Sequence, residues 1–182
     1  TFAPNIKIFD DKTFKLEYEM QSILPEMTHL LDVTNSSNSL YRYVGNPNLK
    51  TSYNHAVDLL ASTKRTAFSL WLNYNLRANI MQHQIKRATT YNRTTGVTTY
   101  QPRNIDGNWW VSNSLGYGQA LDKNKRWNIS LDTKYTVVHS ADYINDIMHP
   151  DPLPSWVLNH RLSEYIKLSY AKNQFRMELN GK

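Results

Sequence analysis

The chain has 182 residues and no cysteine, and its 21 Lys+Arg against 15 Asp+Glu give a formal net charge of +6. The length suits one ordinary domain, and the lack of cysteine excludes a disulfide framework, an all-cysteine zinc site and cysteine catalysis. With 12 Tyr and 5 Trp but only 20% charged residues, the composition fits neither a disordered chain nor a helical bundle.

Period-2 alternation dominates the chain from end to end. Phe14, Leu16, Tyr18 and Met20 share one face of a predicted strand, with Lys15, Glu17 and Glu19 on the other. Residues 26–33 suggest a short helical turn. Tyr53, Val57, Leu59 and Ala61 give a second strand, and Phe68 to Ile80 a third, with Trp71, Asn73, Asn75, Arg77 and Asn79 on its polar face. Further strands run through Trp109, Val111, Leu115, Tyr117 and Leu121, then Trp127 to Val137, Leu162 to Tyr170, and Phe175 to Leu179. Residues 141–148 suggest a second helical turn. Each strand has one apolar and one polar face.

The connections alternate in length. Short polar turns are predicted at Asp10-Asp11-Lys12, Ser62-Thr63-Lys64-Arg65, Asp122 to Arg126 and Ala171-Lys172-Asn173-Gln174. Long irregular stretches are predicted at about 21–51, 82–105 and 141–158. The expected fold is all-β: an antiparallel up-and-down meander of about eight strands, either part of a β-barrel or closing as one. Short turns at one end and long loops at the other are the layout of a transmembrane barrel. Several strands reach the length needed to cross a bilayer at a tilt. Trp127, Tyr170 and Phe175 gather at strand ends, as an interfacial girdle requires. The same alternation also fits a soluble barrel or sandwich with a small apolar ligand inside.

One string is more specific. Leu24-Pro25-Glu26-Met27-Thr28-His29-Leu30-Leu31 precedes Leu40-Tyr41-Arg42-Tyr43-Val44, and Gly45-Asn46-Pro47-Asn48-Leu49-Lys50 follows. Further on come Thr95-Gly96, Pro102-Arg103-Asn104-Ile105-Asp106-Gly107 and Lys125-Arg126-Trp127. With Phe2-Ala3-Pro4-Asn5 and Leu162-Ser163-Glu164-Tyr165, this resembles the Bacteroidetes outer-membrane β-barrel family related to TonB-dependent receptors. The resemblance runs over most of the chain. It implies an outer-membrane location and a role in nutrient or chelate uptake, with membrane lipid, the parent chain's plug and a nutrient ligand as partners. Family members also carry an N-terminal domain and a larger barrel, and they tend to end on an aromatic residue. Residues 1–182 are therefore expected to be a single barrel segment of a longer chain, without the energy-coupling part.

Residues 45–50 read as a loop-to-strand junction, in which Gly45 permits positive φ, Pro47 fixes φ and Asn46 is held extended before it. Gly45, Asn46, Pro47 and Leu49 form this structural motif. The loop aromatics Tyr91, Tyr100, Trp109, Trp110 and Trp156 are the candidates for ligand stacking. Asn73, Asn75, Arg77, Asp132 and Lys134 are the candidates for contact with a plug.

No other chemistry stands out. The six histidines have no metal-ligand spacing, and Asp142, Asp146 and Asp151 lack a calcium-loop pattern. Gly116-Tyr117-Gly118 is no dinucleotide fingerprint and reads as a strand kink or bulge. Without a nucleophile elbow or a singled-out triad, the chain is not expected to be an enzyme or to hold a cofactor. Its basic residues fall mainly in turns, which argues against a nucleic-acid partner.

Overall fold

The computed structural model describes residues 5–9, 12–31, 35–66, 69–144 and 151–182. The elements, in order, are β1 (Asn5–Phe9), β2 (Lys12–Ile23), α1 (Met27–Leu30), β3 (Asn35–Asn38), β4 (Tyr41–Tyr43), β5 (Ser52–Arg65) and β6 (Leu70–Gln82). They continue with β7 (Gln84–Tyr91), β8 (Thr98–Ile105), β9 (Asn108–Ala120), β10 (Trp127–Ile144), β11 (Leu153–Lys172) and β12 (Phe175–Gly181). Eight strands form one antiparallel sheet in the order β1-β2-β5-β6-β9-β10-β11-β12. The expected eight-strand meander is therefore present. Among the described residues it does not close, because β1 and β12 each pair with one neighbour.

The register gives the strand tilt. One row of paired residues runs Phe14, Ala61, Tyr74, Leu115, Thr133 and Glu164. Below this row β2 extends two residues to Lys12, and β11 extends eight residues to Lys172. The lower rim thus drops slightly more than one residue per strand. With about 3.3 Å per residue and about 4.8 Å between strands, the tilt is about 40°, the slope of a barrel wall.

The alternating pattern sorts cleanly onto the two faces. Leu16, Leu59, Leu76, Tyr135 and Leu162 lie in or beside one row of the apolar face, and Glu17, Asp58, Arg77, Thr136 and Arg161 form the neighbouring row of the polar face. Neither face covers a large core. The only buried hydrophobic residues among those described are Ala88, Ile105, Ala120 and Ala141, while Leu162 is 62% and Leu179 69% exposed. A soluble protein rarely leaves so broad an apolar surface bare. Against lipid the same surface needs no protein cover. No described helix is long and apolar enough to cross a membrane, so any crossing is made by strands.

Polar groups on the apolar face are mostly paired. Tyr18 Oη and His55 Nδ1 lie 2.8 Å apart, Tyr135 Oη and His160 Nδ1 lie 2.7 Å apart, and the Tyr74 hydroxyl donates to Asn113 Oδ1 at 2.8 Å. Aromatics mark both margins. At the turn end Trp127 packs on Tyr170 at 4.7 Å, and Tyr170 on Phe175 at 6.2 Å. At the loop end Trp109 stacks on His139 at 5.4 Å. Trp127 and His139 are twelve residues apart on β10, which at the derived tilt is about 30 Å of height, the thickness of a bilayer core.

Several expected boundaries move. The turn predicted at Ser62 to Arg65 belongs to β5, which runs on to Arg65. Ala171 and Lys172 belong to β11, and the turn there is Asn173-Gln174. The Asp122 to Arg126 turn is as expected, whereas Asp10 and Asp11 lie outside the described residues. α1 occupies part of the predicted helical stretch 26–33. The second predicted helix is absent over 141–144, which continue β10, and its remainder lies outside the described residues.

The largest correction concerns 82–105. This stretch is not irregular but forms the hairpin β7–β8, the upward continuation of β6 and β9. The ribbon breaks where His83 takes φ 50° and Gly107 φ 103°. Above the break β7 and β8 leave the main sheet and join β3 and β4, in the order β3-β4-β8-β7, with β4 parallel to β8. Side chains hold the break: His83 N donates to Asp106 Oδ1 at 2.6 Å, and His83 O accepts from Asn104 Nδ2 at 2.6 Å and Ser52 Oγ at 2.7 Å.

Candidate functional site

Two surfaces carry polar chemistry: the polar face of the main sheet and the loop sheet above it. On the polar face Trp71 stands directly opposite Gly118. A Cβ on Gly118 would lie 2.2 Å from Trp71 Nε1, and one on Gly116 would lie 2.9 Å from Trp71 Cζ3. The pairing of β9 with both neighbours is continuous here, so the expected kink or bulge is absent. The two glycines instead provide a bed for an indole, an aromatic covering glycine across strands.

Beside this bed lies a groove of about 710 Å³, lined by Asn73, Asn75, Gly116, Asp132, Lys134 and Tyr165 among others. Four of the five residues expected to meet a plug therefore share one depression. The fifth, Arg77, pairs with Asp58 at 2.7 Å. Lys15–Glu17 at 2.6 Å and Lys167–Glu178 at 2.9 Å belong to the same face. All these side chains are at least a third exposed or nearly so, and each such pair stabilises the fold by about 0–1 kcal/mol. Their value is a wettable wall rather than added stability.

The loop sheet is tied down by asparagine side chains that act as surrogate peptides. Asn104 Oδ1 accepts from Lys50 N at 2.8 Å, and its Nδ2 donates to Lys50 O at 3.0 Å. At the upper margin of the main sheet, Asn108 of β9 does the same for Ala141 of β10, donating to its O at 3.1 Å and accepting from its N at 2.9 Å. Asn46 donates from Nδ2 to Pro102 O at 3.0 Å, while its backbone N donates to His29 O at 2.7 Å. Asn48 N in turn donates to Asn46 Oδ1 at 3.0 Å, closing a local turn.

Residues 45–50 are thus a junction, as expected, but Gly45 acts for a different reason. Its φ is not in the left-handed region. A Cβ there would meet Leu31 O at 1.9 Å, so the requirement is close backbone approach. Burial and the nearby Glu26 carboxylate raise the Tyr43 hydroxyl above its ordinary value, which keeps it neutral next to this junction.

The five loop aromatics do not converge. Tyr100 stacks on Tyr41 at 6.2 Å with the Arg87 guanidinium 4.8 Å above its ring, and Tyr91 is exposed at the end of β7. These residues face one side of the loop sheet. Trp110 sits on the polar face of β9, paired with Asn79 and Val138. Trp109 and Trp156 sit on the apolar face, with Trp156 55% exposed beside Gly107. Adjacent residues in a strand face opposite ways, so Trp109 and Trp110 belong to different surfaces. Sequence reading missed Tyr41, Arg87 and the anchoring Asn104 and Asn108. With threonines on both faces, 84–91 and 98–105 show no apolar alternation that could have signalled them.

The whole chain, residues 1–182, matches the outer membrane protein beta-barrel family. No curated protein and no solved structure matches it.

Proposed function

The chain belongs to the outer membrane protein beta-barrel family and lies in the outer membrane, and from that premise we propose that it forms part of the wall of an uptake channel of the TonB-dependent-receptor kind. The membership decides against the soluble barrel, and it fits an apolar face that is the bare one rather than an enclosed lining. The observation that carries the uptake reading is the polar face: a tilted wall bearing a groove and exposed ion pairs, with Trp71 laid flat on its glycine bed. A wall of that kind suits a hydrated interior with a plug in contact with Asn73, Asn75, Asp132 and Lys134.

Strand pairing supports a larger barrel. Among the described residues, β12 pairs only with the lower part of β11, from Ile166 to Lys172, and β1 only with Lys12 to Lys15 of β2. The upper backbones of β2 and β11 need neighbours, because an unpaired strand edge in lipid costs several kcal/mol per group. Further strands fill that need. The loop sheet, with Tyr41, Tyr91, Tyr100 and Arg87 on one side, lies above the wall where a nutrient would first bind.

The test is genetic. A strain lacking the gene is compared with its parent for growth on single complex nutrients and metal chelates, with and without an uncoupler. The expected result is lost uptake of at least one compound, with the parent's uptake stopped by the uncoupler. Uptake that is unchanged by the deletion, or that survives the uncoupler, counts against the reading.

A further inference from the structure

Three successive rungs of the β10–β11 ladder border a second cavity on the polar face, of about 580 Å³, just above the groove. Lys134 pairs with Ser163, Thr136 with Arg161 and Val138 with Asn159, and all six residues line it. Partners within a rung lie about 4.5–5.5 Å apart at Cβ, and rungs on one face repeat every two residues, about 6.6 Å. Lys134 and Arg161 are therefore diagonal neighbours, about 7–8 Å apart. Their long side chains border one space.

The two charges are uncompensated. On the same face Lys15, Arg77 and Lys167 each hold a carboxylate, at 2.6, 2.7 and 2.9 Å. Among the described residues neither Lys134 nor Arg161 forms an ion pair. Asp132 stands one rung below Lys134, but its Oδ1 lies over Gly116, 2.9 Å from where a Cβ would be. Gly116 belongs to β9, so this carboxylate is turned away from β11 and the cavity. The lining itself contains no acid. Ser163 and Asn159 add a hydroxyl and an amide, and the Thr136 hydroxyl is shared with Ser112 at 3.0 Å.

We propose that this cavity binds an oxyanion, the carboxylate or phosphate group of a small solute in the barrel interior. A guanidinium and an ammonium on adjacent rungs repel each other, and an anion between them relieves that repulsion. The same anion accepts charge-assisted hydrogen bonds from both, and further ones from Ser163 and Asn159. Cationic side chains on a pore wall favour anions in this way. A neutral sugar would leave both charges unanswered. The site rests on the uptake reading in one respect, that the polar face lines a hydrated interior, and it adds the charge class of the solute.

The full-length protein in a neutral detergent at low salt is titrated calorimetrically with pyrophosphate and, in a second arm, with tricarballylate. Saturable binding of at least one is expected, and the tighter of the two tells phosphate from carboxylate. Lys134→Gln and Arg161→Gln should each weaken it about tenfold, the scale of one charge-assisted hydrogen bond. Arg77→Gln removes the same charge from the same face, but from an ion pair, and should leave the affinity unchanged. Binding of neither anion, as when a carboxylate of the parent chain already fills the cavity, overturns the proposal. So does binding that survives the double substitution in protein with folded gel mobility, or that Arg77→Gln weakens equally. Binding that depends on Arg161, beside unaltered uptake in the deletion strain, would sink the uptake reading and leave the site standing.

Discussion

The indole of Trp71 occupies the space that a side chain at Gly118 would take, with Nε1 2.2 Å from the position of its Cβ. Cross-strand glycine and tryptophan are thus complementary surfaces. Gly118→Ala forces the ring off its bed and is expected to cost about 1–3 kcal/mol, the usual penalty of overpacking. In a Trp71→Ala background the same substitution should be neutral or mildly favourable, because alanine suits a strand better than glycine. Urea unfolding in vesicles, run as a double-mutant cycle, reads the difference. Additive effects would show that the two residues do not meet.

Asn104 makes three side-chain hydrogen bonds, two to Lys50 and one to His83. Asn104→Ala leaves these backbone groups without partners and should destabilise the loop sheet by about 1–3 kcal/mol. Asn104→Asp should be worse, since a carboxylate faces the carbonyls of Lys50 and His83. The readout is limited trypsin cleavage at Lys50, Lys86 and Arg87. Cleavage should quicken while the membrane-embedded sheet keeps its folded mobility. Cleavage at the wild-type rate would mean that the remaining contacts hold the loops.

Asp122 in the turn before β10 accepts from Trp127 N at 2.8 Å and from Arg126 Nε at 3.0 Å. The Trp127 backbone bond first, with the Arg126 interactions helping, holds its carboxyl below the ordinary 3.8. A lowered carboxyl stabilises the fold above its unfolded value, and that stabilisation is lost as pH falls through the lowered folded value. Between neutral pH and 3.8 the turn should therefore keep its strength, and below 3.8 it should weaken. Asp122→Asn removes this acid-dependent part, so its stability should fall less steeply than wild type on acidification below 3.8. Identical acid profiles for the two proteins would exclude the mechanism.

Glu164 lies on the apolar face between Leu162 and Ile166, opposite Thr133, and no described residue pairs with its carboxylate. It stands well inside the band bounded by Tyr170 and His160. A carboxylate facing lipid at that depth is unfavourable by about 1–2 kcal/mol. Glu164→Leu should recover about that much stability in vesicles. A loss of stability instead would reveal a cationic group supplied by a neighbouring strand.

Much of the wall was legible in the sequence because lipid and water impose opposite demands on alternate residues. Leu16, Leu59, Leu76 and Leu162 against Glu17, Asp58, Arg77 and Arg161 fix the face of every residue, since a slip of one would turn each leucine to water. The loop sheet was not legible for the same reason in reverse. Strands such as Thr98 to Ile105 are wet or shallowly packed on both sides, so no period appears in Thr-Thr-Tyr-Gln-Pro-Arg-Asn-Ile. Their fold is written instead in amide side chains, and an asparagine that will replace a peptide looks like any other asparagine. The role of Gly45 was hidden likewise, because tolerance of positive φ and lack of room both call for glycine. Trp109 and Trp110 show the cost of ignoring parity, since neighbours in a strand cannot serve one pocket.

The parallel pairing of β4 with β8 has a consequence for assembly. Wall contacts can start from hairpins or from the near ends of longer returns, Ile23–Ser52 for β2–β5 and Met81–Asn108 for β6–β9, and zip onward from there. Tyr41 to Tyr43 must wait for Thr98 to Tyr100, more than fifty residues later, while β5, β6 and β7 are laid down between them. The β3–β4 segment before β5 therefore lacks its β8 partner until the β6–β9 ribbon stands beside it. Hydrogen exchange during insertion should protect Val57 to Ala61 well before Tyr41 to Tyr43. The outward-facing sheet is thus completed only after the strands of the wall beneath it have begun to pair.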